Sequence, residues 1–289
     1  MKLFKKIFTA TVIVLIIASI AGIIYVLQVQ EEPPATQEPK KETKQIKPKK
    51  AAAIPPGAKE KPVPVKSAPM REVAIIVDDI GYNLSPVREL LKIDANLTFA
   101  VLPLQAHTRE AAEMLHKAKR ETLLHLPMEP VSYPREKPGE GALFTDMNDE
   151  ELVLQLKKDI ADVPYISGVN NHMGSKFMMD EKKLILIFNE LKKKKLFFVD
   201  SRTSADTRAY AAAKKTGLSI AGRKTFIDNN RNYKEIYNNL MNSVKGDDVS
   251  PHIIIGHPYP ETIRAIKEAA KVLREQGVSI VPVSRIIKK

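Results

Sequence analysis

The stretch Val73-Ala74-Ile75-Ile76-Val77-Asp78-Asp79-Ile80-Gly81 decides how the rest of the chain is interpreted. Its apolar first half, rich in β-branched residues, predicts a strand buried on both faces, as in a parallel sheet. Asp78 and Asp79 follow directly, and alternation along an extended backbone predicts that their side chains point to opposite sides. That separation suits one metal ligand and one base or supporting group. A simple cap of the following turn is the alternative.

Composition limits the classes of protein to consider. With 289 residues, 44% of them hydrophobic, the chain can bury a substantial core in one large domain or two ordinary ones. It has no cysteine, so a metal site must use His, Asp, Glu or Asn. Residues 1–71 carry +8 of the net charge of +12, which leaves only +4 for the remainder. The folded part is therefore mildly basic, and we expect no nucleic-acid partner.

The amino-terminal part predicts a membrane anchor and a tether. Residues 7–27 contain no charged side chain, and a helix of that length spans roughly 30 Å. Lys2, Lys5 and Lys6 precede it, so we expect a single-pass anchor in the inner (cytoplasmic) membrane within residues 1–29. The main domain then lies on the periplasmic or extracytoplasmic side. A cleaved signal peptide is the alternative. Residues 30–71, rich in Pro, Lys and Glu, are predicted to form a disordered tether.

Residues 72–289 alternate short apolar runs with helical periodicity and form the predicted catalytic domain. Strands are predicted at 73–77, 97–102, 122–126, 166–169, 196–199, 218–221, 253–255 and 278–281. Asn148 and Glu151 resemble a capping box that starts a helix to Val163, and a further helix is predicted at 260–275. Repeated βα units favour a distorted or incomplete (β/α) barrel with seven to eight parallel strands. An open doubly wound sheet is the other candidate, although no Gly-rich phosphate turn follows the first strand.

Polar residues stand at the carboxyl ends of these strands. They are Asp78-Asp79, His125, Asn170-Asn171-His172, Asp200-Ser201 and His257. In a parallel barrel these ends open on one rim, so the side chains would share one pocket. An Asp and two His around an open coordination position are the ligands expected of a zinc-like hydrolytic centre. Of the other histidines, His107 follows the second strand, His116 lies in a helix, and His252 begins a strand at the opposite rim.

Five motifs in order carry a family resemblance. They are Ile75-Ile76-Val77-Asp78-Asp79-Ile80-Gly81, Leu124-His125-Leu126-Pro127-Met128-Glu129, Gly168-Val169-Asn170-Asn171-His172-Met173-Gly174-Ser175, Phe198-Val199-Asp200-Ser201-Arg202-Thr203 and Ile254-Ile255-Gly256-His257-Pro258. Across residues 70–287 the chain resembles the divergent polysaccharide deacetylase family. The resemblance implies a distorted barrel and a divalent metal, commonly zinc, that serves the removal of acetyl groups from amino sugars.

The resemblance also implies roles for individual residues. Asp79 would be the metal-binding aspartate and Asp78 the general base, while His125 would be a metal ligand. His257 would be the general acid that protonates the leaving amine. A base and an acid on opposite sides of a metal can share the two proton transfers of amide hydrolysis.

The chain departs from the better-known deacetylases at the second histidine ligand. Those enzymes place it four residues after the first, where this chain has Glu129, so the ligand is assigned to His172. The Arg-x-Pro-Tyr stretch of the oxyanion side is absent as well. Asp200 is expected to orient groups or contact substrate, and Asn171, Ser201 and Glu129 to support the site or touch substrate.

The expected function is metal-dependent deacetylation or hydrolysis of an acetylated envelope polysaccharide or a peptidoglycan-like substrate. A catalytically degenerate barrel that binds glycan or an envelope partner is one alternative. Another metal-dependent hydrolase is the second, although the few arginines near the predicted rim disfavour phosphate esters. The sequence lacks Trp and offers only a few loop aromatics for sugar stacking, namely Tyr133, Phe144, Tyr165, Tyr233 and Tyr259.

Overall fold

A computed structural model describes residues 71–245 and 250–287 and shows nine strands and eight α-helices within them. The strands are β1 Arg71–Ile80, β2 Thr98–Val101, β3 Glu121–Met128, β4 Ile166–Met173, β5 Phe197–Asp200, β6 Ile220–Gly222, β7 Thr225–Phe226, β8 His252–Gly256 and β9 Val278–Ile280. The helices are α1 Ser85–Leu91, α2 Thr108–Lys117, α3 Asp149–Asp162, α4 Glu181–Lys193, α5 Ala209–Thr216, α6 Tyr233–Ser243, α7 Pro260–Glu275 and α8 Val283–Ile286. A 3₁₀ turn, Phe177–Met179, precedes α4.

The strands form one parallel sheet in the order β6-β5-β4-β3-β2-β1-β8-β7, and β9 pairs with the start of β1. This is the cyclic order of a (β/α) barrel opened between β6 and β7, whose strands share no ladder in the described part of the chain. The incomplete barrel is therefore confirmed. The predicted count of seven to eight strands is corrected to nine, because the two-residue β7 is too short to give a periodic signal.

The sheet separates two cores. The larger lies between the outer face of the sheet and the surrounding helices. The smaller fills the interior of the barrel with alternate strand residues such as Ile76, Leu123, Val199 and Ile255. Helix α8 adds Val283 to this inner core and closes the amino-terminal end of the barrel. Residues at the same alternation beyond the inner core therefore emerge at the opposite, carboxyl-terminal rim.

The irregular segment 129–148 between β3 and α3 is held to the rim by backbone hydrogen bonds. Glu129 N donates to Leu143 O at 2.9 Å, and Leu143 N donates to Pro127 O at 2.9 Å. The segment ends at the predicted capping box of Asn148 and Glu151, which is confirmed. The loop therefore forms one wall of the rim.

Within residues 71–245 and 250–287 no helix is long and apolar enough to cross a bilayer. The predicted anchor within residues 1–29, and the predicted tether except Arg71, lie outside the described residues.

Candidate metal centre

Because side chains alternate between the two faces of each strand, four polar side chains lie on the inside of the rim. Asp78 follows inner-core Ile76 at a spacing of two residues, and His125 follows Leu123 in the same way. On β4 the inward residues are Asn170 and His172, because Val169 packs on the outer core. These positions come from three strands that are in parallel register, so their side chains meet above the inner core.

Asp79 corrects the expectation that the paired carboxylates point to opposite sides. Both approach the same nitrogen: His125 Nε2 lies 3.2 Å from Asp79 Oδ1 and 3.7 Å from Asp78 Oδ2. The reason is a backbone irregularity, since Asp79 has a φ of 56° and the β1–β2 register shifts between Val77 and Ile80. Aspartate tolerates this left-handed conformation better than most residues. The bend turns Asp79 back toward the centre.

Asp79, His125 and His172 form a nearly equilateral triangle of potential ligand atoms. Besides the 3.2 Å contact, His172 Nδ1 lies 3.1 Å from Asp79 Oδ1 and 3.1 Å from His125 Nε2. Three donors about 2.0–2.2 Å from a tetrahedral ion lie roughly 3.3–3.6 Å apart, so the triangle needs to widen by only a few tenths of an ångström. The three residues can hold one metal ion and leave a coordination position open.

The electrostatics of this triangle also suit a cation. Asp79 Oδ1 is a buried carboxylate oxygen that faces two ring nitrogens without a hydrogen bond of good geometry. Burial opposes its ionisation, but the close approach of His125 and His172 holds the pKa of Asp79 well below its ordinary value. Burial lowers the pKa of His125, yet the charges of Asp78 and Asp79 outweigh it, so that pKa is raised. A positive charge is therefore stabilised at this point.

Asn170 fixes the orientation of His125. Its Nδ2 donates to Asp78 Oδ1 at 2.8 Å, which leaves its Oδ1 to accept a 2.9 Å hydrogen bond from His125 Nδ1. With the proton on Nδ1, the lone pair of Nε2 points to the centre. A ligating histidine held through its other ring nitrogen is the usual supporting arrangement in metal sites.

Asp78 is a deeply buried carboxylate of the rim, with 2% of its surface exposed. Burial raises its pKa above the ordinary value, although the charges of His125 and His257 and the hydrogen bond from Asn170 act in the opposite direction. A raised pKa makes a carboxylate a stronger proton acceptor. Asp78 therefore combines the position and the basicity that a general base requires.

His257 is supported from behind by Asp228. His257 Nδ1 lies 3.0 Å from Asp228 Oδ1, and His257 N and Thr262 Oγ1 donate to Asp228 Oδ2 at 2.6 and 2.9 Å. Burial lowers the pKa of His257, but the hydrogen bond and charge of Asp228, together with Asp78 and Asp79, raise it to about 9. The imidazole is thus protonated at neutral pH, and its Nε2 lies 4.0 Å from Asp79 Oδ2.

Comparison with known proteins identifies the family of this chain. The family model for divergent polysaccharide deacetylases matches residues 75–287. The chain belongs to this family. The uncharacterized Escherichia coli K12 protein YibQ is 34% identical over 201 residues, which cover 68% of this chain and 61% of YibQ. An uncharacterized protein of Haemophilus influenzae is 28% identical over 205 residues, 71% of this chain and 72% of that protein.

A solved structure shares the fold. The crystal structure of an uncharacterized protein from Agrobacterium tumefaciens C58 has a TM-score of 0.72 at 21% identity, and covers 78% of this chain and 92% of that one. The family match thus accounts for the barrel. The family match does not determine the chemistry of the rim, which depends on the rim residues themselves.

Strand alternation also indicates where the other residues expected at the site lie. Asp200 and Asn171 fall on the outward alternation, and Ser201 falls on the inward one. Asp200 accepts hydrogen bonds from Arg202 N at 2.8 Å and Thr207 Oγ1 at 2.9 Å, both in its own loop. The structure does not bring the Asp200 carboxylate to the centre, and its contact with substrate stays a prediction.

Asn171, Ser201 and Glu129 build the rim. Asn171 accepts from Ser201 N at 2.8 Å and thereby ties β4 to the loop after β5. Glu129 accepts from Thr145 N at 2.8 Å and from Lys176 Nζ at 2.8 Å, so it binds the irregular loop to the segment after β4. In the described contacts these residues shape the site, and none of them joins the ligand triangle.

Two rim residues, Asp228 and Arg223, were missed from the sequence. Asn170 was expected at the rim without a role of its own, although it lies two positions before His172 and so shares its face. Asp228 follows the two-residue β7, which left no signal. Arg223, from the gap between β6 and β7, donates to Ser201 O at 2.6 Å and lies 3.8 Å over the ring of Phe226. It is one arginine near the rim, which is compatible with the expectation that few arginines stand there.

Proposed function

We propose that this protein is a metal-dependent deacetylase that acts on an acetylated glycan of the cell envelope. The observation that carries the proposal is the triangle of Asp79, His125 and His172 between a buried basic carboxylate, Asp78, and a protonated imidazole, His257. Metal-dependent amide hydrolysis uses an activating ion, a base and an acid in one cleft. Membership of the divergent polysaccharide deacetylase family supports the same chemistry.

The rim residues divide the work of the reaction. A divalent ion, zinc in this proposal, supplies Lewis-acid activation of a water and of the acyl carbonyl when it is bound by the triangle. Asp78 accepts the proton of the attacking water. His257 Nε2 donates a proton to the leaving nitrogen, since Asp228 holds its other nitrogen and keeps the ring charged. Asn170 keeps His125 Nε2 aimed at the centre.

The cellular placement is also a proposal. The uncharged segment 7–27, preceded by three lysines, favours a single-pass anchor in the inner membrane and an extracytoplasmic catalytic domain. An envelope glycan or peptidoglycan-like polymer would then lie within reach of the tethered barrel. Protease accessibility of the barrel in spheroplasts tests this placement.

Acetate release is the direct test of the activity. The zinc-loaded full chain is incubated with acetylated glycans and peptidoglycan, and released acetate is quantified. We expect release by the wild type and loss of at least about 100-fold in Asp79→Asn and His257→Gln. His116→Gln is the control, because His116 stacks on Tyr165 away from the centre. If metal-loaded protein binds glycan without releasing acetate, the deacetylase proposal fails and a glycan-binding barrel replaces it.

A further inference from the structure

Asp159, in the last turn of α3, is an acidic residue that the proposed reaction does not use. It is completely buried, with 0% of its surface exposed. Its Oδ1 accepts a 2.9 Å hydrogen bond from Gln155 Nε2, whereas its Oδ2 has no hydrogen-bond partner in the described part of the chain. Buried polar groups are nearly always paired, and a buried charge without a partner is strongly unfavourable. The uncharged, protonated carboxyl therefore suits this position, and the carboxylate does not.

The carboxyl of Asp159 lies at the contact between α3 and the irregular segment 129–148. A Cβ added to Gly141 would lie 2.5 Å from Asp159 Oδ1, so the backbone of the loop packs directly on the carboxyl. The same Cβ would lie 3.2 Å from Pro103 Cγ, in the connection between β2 and α2. Gly141 has a φ of 79°, which glycine adopts without steric cost. Three segments of the chain thus meet at one buried acid.

The charges that act on Asp159 come from its own helix. Burial raises the pKa of Asp159 to about 7, against the opposing hydrogen bond from Gln155. The charge of Asp162 adds to the rise of this pKa, and the charge of Lys158 opposes it. Arg109 of α2 pairs with Asp162 at 3.3 Å, and the loop and the β2–α2 connection meet the carboxyl with uncharged residues. Loss of the proton near neutral pH therefore leaves a buried negative charge that has no ion-pair partner among the described residues.

The loop connects this contact to the candidate metal centre. Leu143, two residues after Gly141, donates a 2.9 Å backbone hydrogen bond to Pro127 O. Pro127 follows His125 by two residues on β3 and is in register with His172 on β4. A loop that moves away from α3 at Gly141 therefore loosens the wall of the rim beside two of the three candidate ligands.

We propose that Asp159 is a pH-sensitive latch of the rim: its uncharged carboxyl holds the loop at Gly141 against α3, and loss of its proton releases the loop. The buried charge gains contact with water only when the loop moves away, so ionisation and release are coupled. Because the closed form binds the proton more tightly, the free energy that keeps the loop closed is greatest below the ordinary aspartate pKa of 3.8. It then decreases until the pH has passed about 7. The latch goes beyond the proposed reaction, because neither metal nor substrate takes part in it.

The experiment measures hydrogen–deuterium exchange of the full chain by mass spectrometry at about pH 5.5 and about pH 8, with rates corrected for the intrinsic pH dependence of exchange. We expect protection of residues 129–148 in the wild type to be at least about tenfold lower at the higher pH. Asp159→Asn stays uncharged and keeps an oxygen for Gln155, so its loop should be equally protected at both pH values. Asp149→Asn is the matched control and should behave like the wild type, because Asp149 is an exposed acid in the first turn of the same helix. Exchange of residues 260–275 reports whether each variant is folded.

A second variant tests the latch even where Asp159→Asn does not fold. Asp162→Asn removes the neighbouring charge that raises the pKa of Asp159, so its loop should be released at a lower pH than the wild-type loop. Equal protection of the wild-type loop at the two pH values, a pH-dependent loop in folded Asp159→Asn, or an unshifted transition in Asp162→Asn would overturn the latch. None of these outcomes depends on acetate release, so the latch and the proposed function fail or succeed separately.

Discussion

Replacing Asn170 with alanine removes the amide that joins His125 to Asp78. Two hydrogen bonds are lost, one of 2.9 Å from His125 Nδ1 and one of 2.8 Å to Asp78 Oδ1. His125 is then no longer held with Nε2 toward the centre, and the buried carboxylate of Asp78 loses a donor. The substitution thus weakens the metal site without removing any ligand.

The magnitude follows from these two contacts. Loss of a supporting group behind a metal ligand typically lowers metal affinity about 10- to 100-fold, which corresponds to about 1.4–2.7 kcal/mol. A buried polar group without its partner costs about 1–3 kcal/mol of folding free energy. We therefore expect Asn170→Ala to bind zinc 10- to 100-fold more weakly and to lower the free energy of unfolding by about 1–3 kcal/mol.

The assay is a zinc titration against a competing chelator, combined with urea unfolding. Asn171→Ala is the matched control, because Asn171 is equally buried on the same strand but bonds outward to Met173 O and Ser201 N. It should lose stability and keep its zinc affinity within about threefold. Wild-type affinity in Asn170→Ala, or an equal loss in both variants, would refute the proposed role of Asn170.

Three further substitutions test the rim and the barrel. Asp228→Asn should lower the pKa of His257 from about 9 toward its ordinary value. Because His257 must be protonated to act as an acid, the alkaline limb of the kcat/KM profile should then move to lower pH. An alkaline limb that does not move would contradict this coupling between Asp228 and His257. Glu129→Gln should cost about 1–3 kcal/mol in urea unfolding without changing the zinc stoichiometry, and a loss of bound zinc would show that Glu129 reaches the centre. Gly168→Ala should lower the unfolding free energy by about 1–3 kcal/mol, since its Cβ would lie 2.3 Å from the Phe197 ring, and an unchanged thermal midpoint would contradict that packing.

The parts of the fold with strong local signals were predictable. Helix α7 occupies the predicted residues 260–275, and the Asn148 capping box starts α3 as expected. The parallel topology alone predicted that the polar residues at the strand ends lie together at one rim. By contrast, β7 and α8 have two and four residues, too few for a periodic pattern, and their positions depend on barrel packing.

The candidate site likewise contains some residues whose placement the sequence predicted and others whose placement it did not. His125, His172 and Asp79 meet because their strands are neighbours or near neighbours in a parallel sheet, which the sequence pattern indicated. The bend at Asp79, with its φ of 56°, depends on the tertiary environment, and so the expected separation of the two carboxylates was wrong. Asp200 falls on the outward alternation of β5 and accepts hydrogen bonds within its own loop, and its expected contact with substrate stays a prediction.

Metal stoichiometry is the most direct test of the central claim that Asp79, His125 and His172 form a metal site. The full chain is equilibrated with zinc, freed of excess ion and measured by inductively coupled plasma mass spectrometry, beside Asp79→Asn, His172→Ala and the distant control His116→Ala. We predict about one ion per chain in the wild type and the control, and a small fraction of that in the two site variants. No stoichiometric divalent ion in the wild type, or undiminished binding in both site variants, would contradict the account.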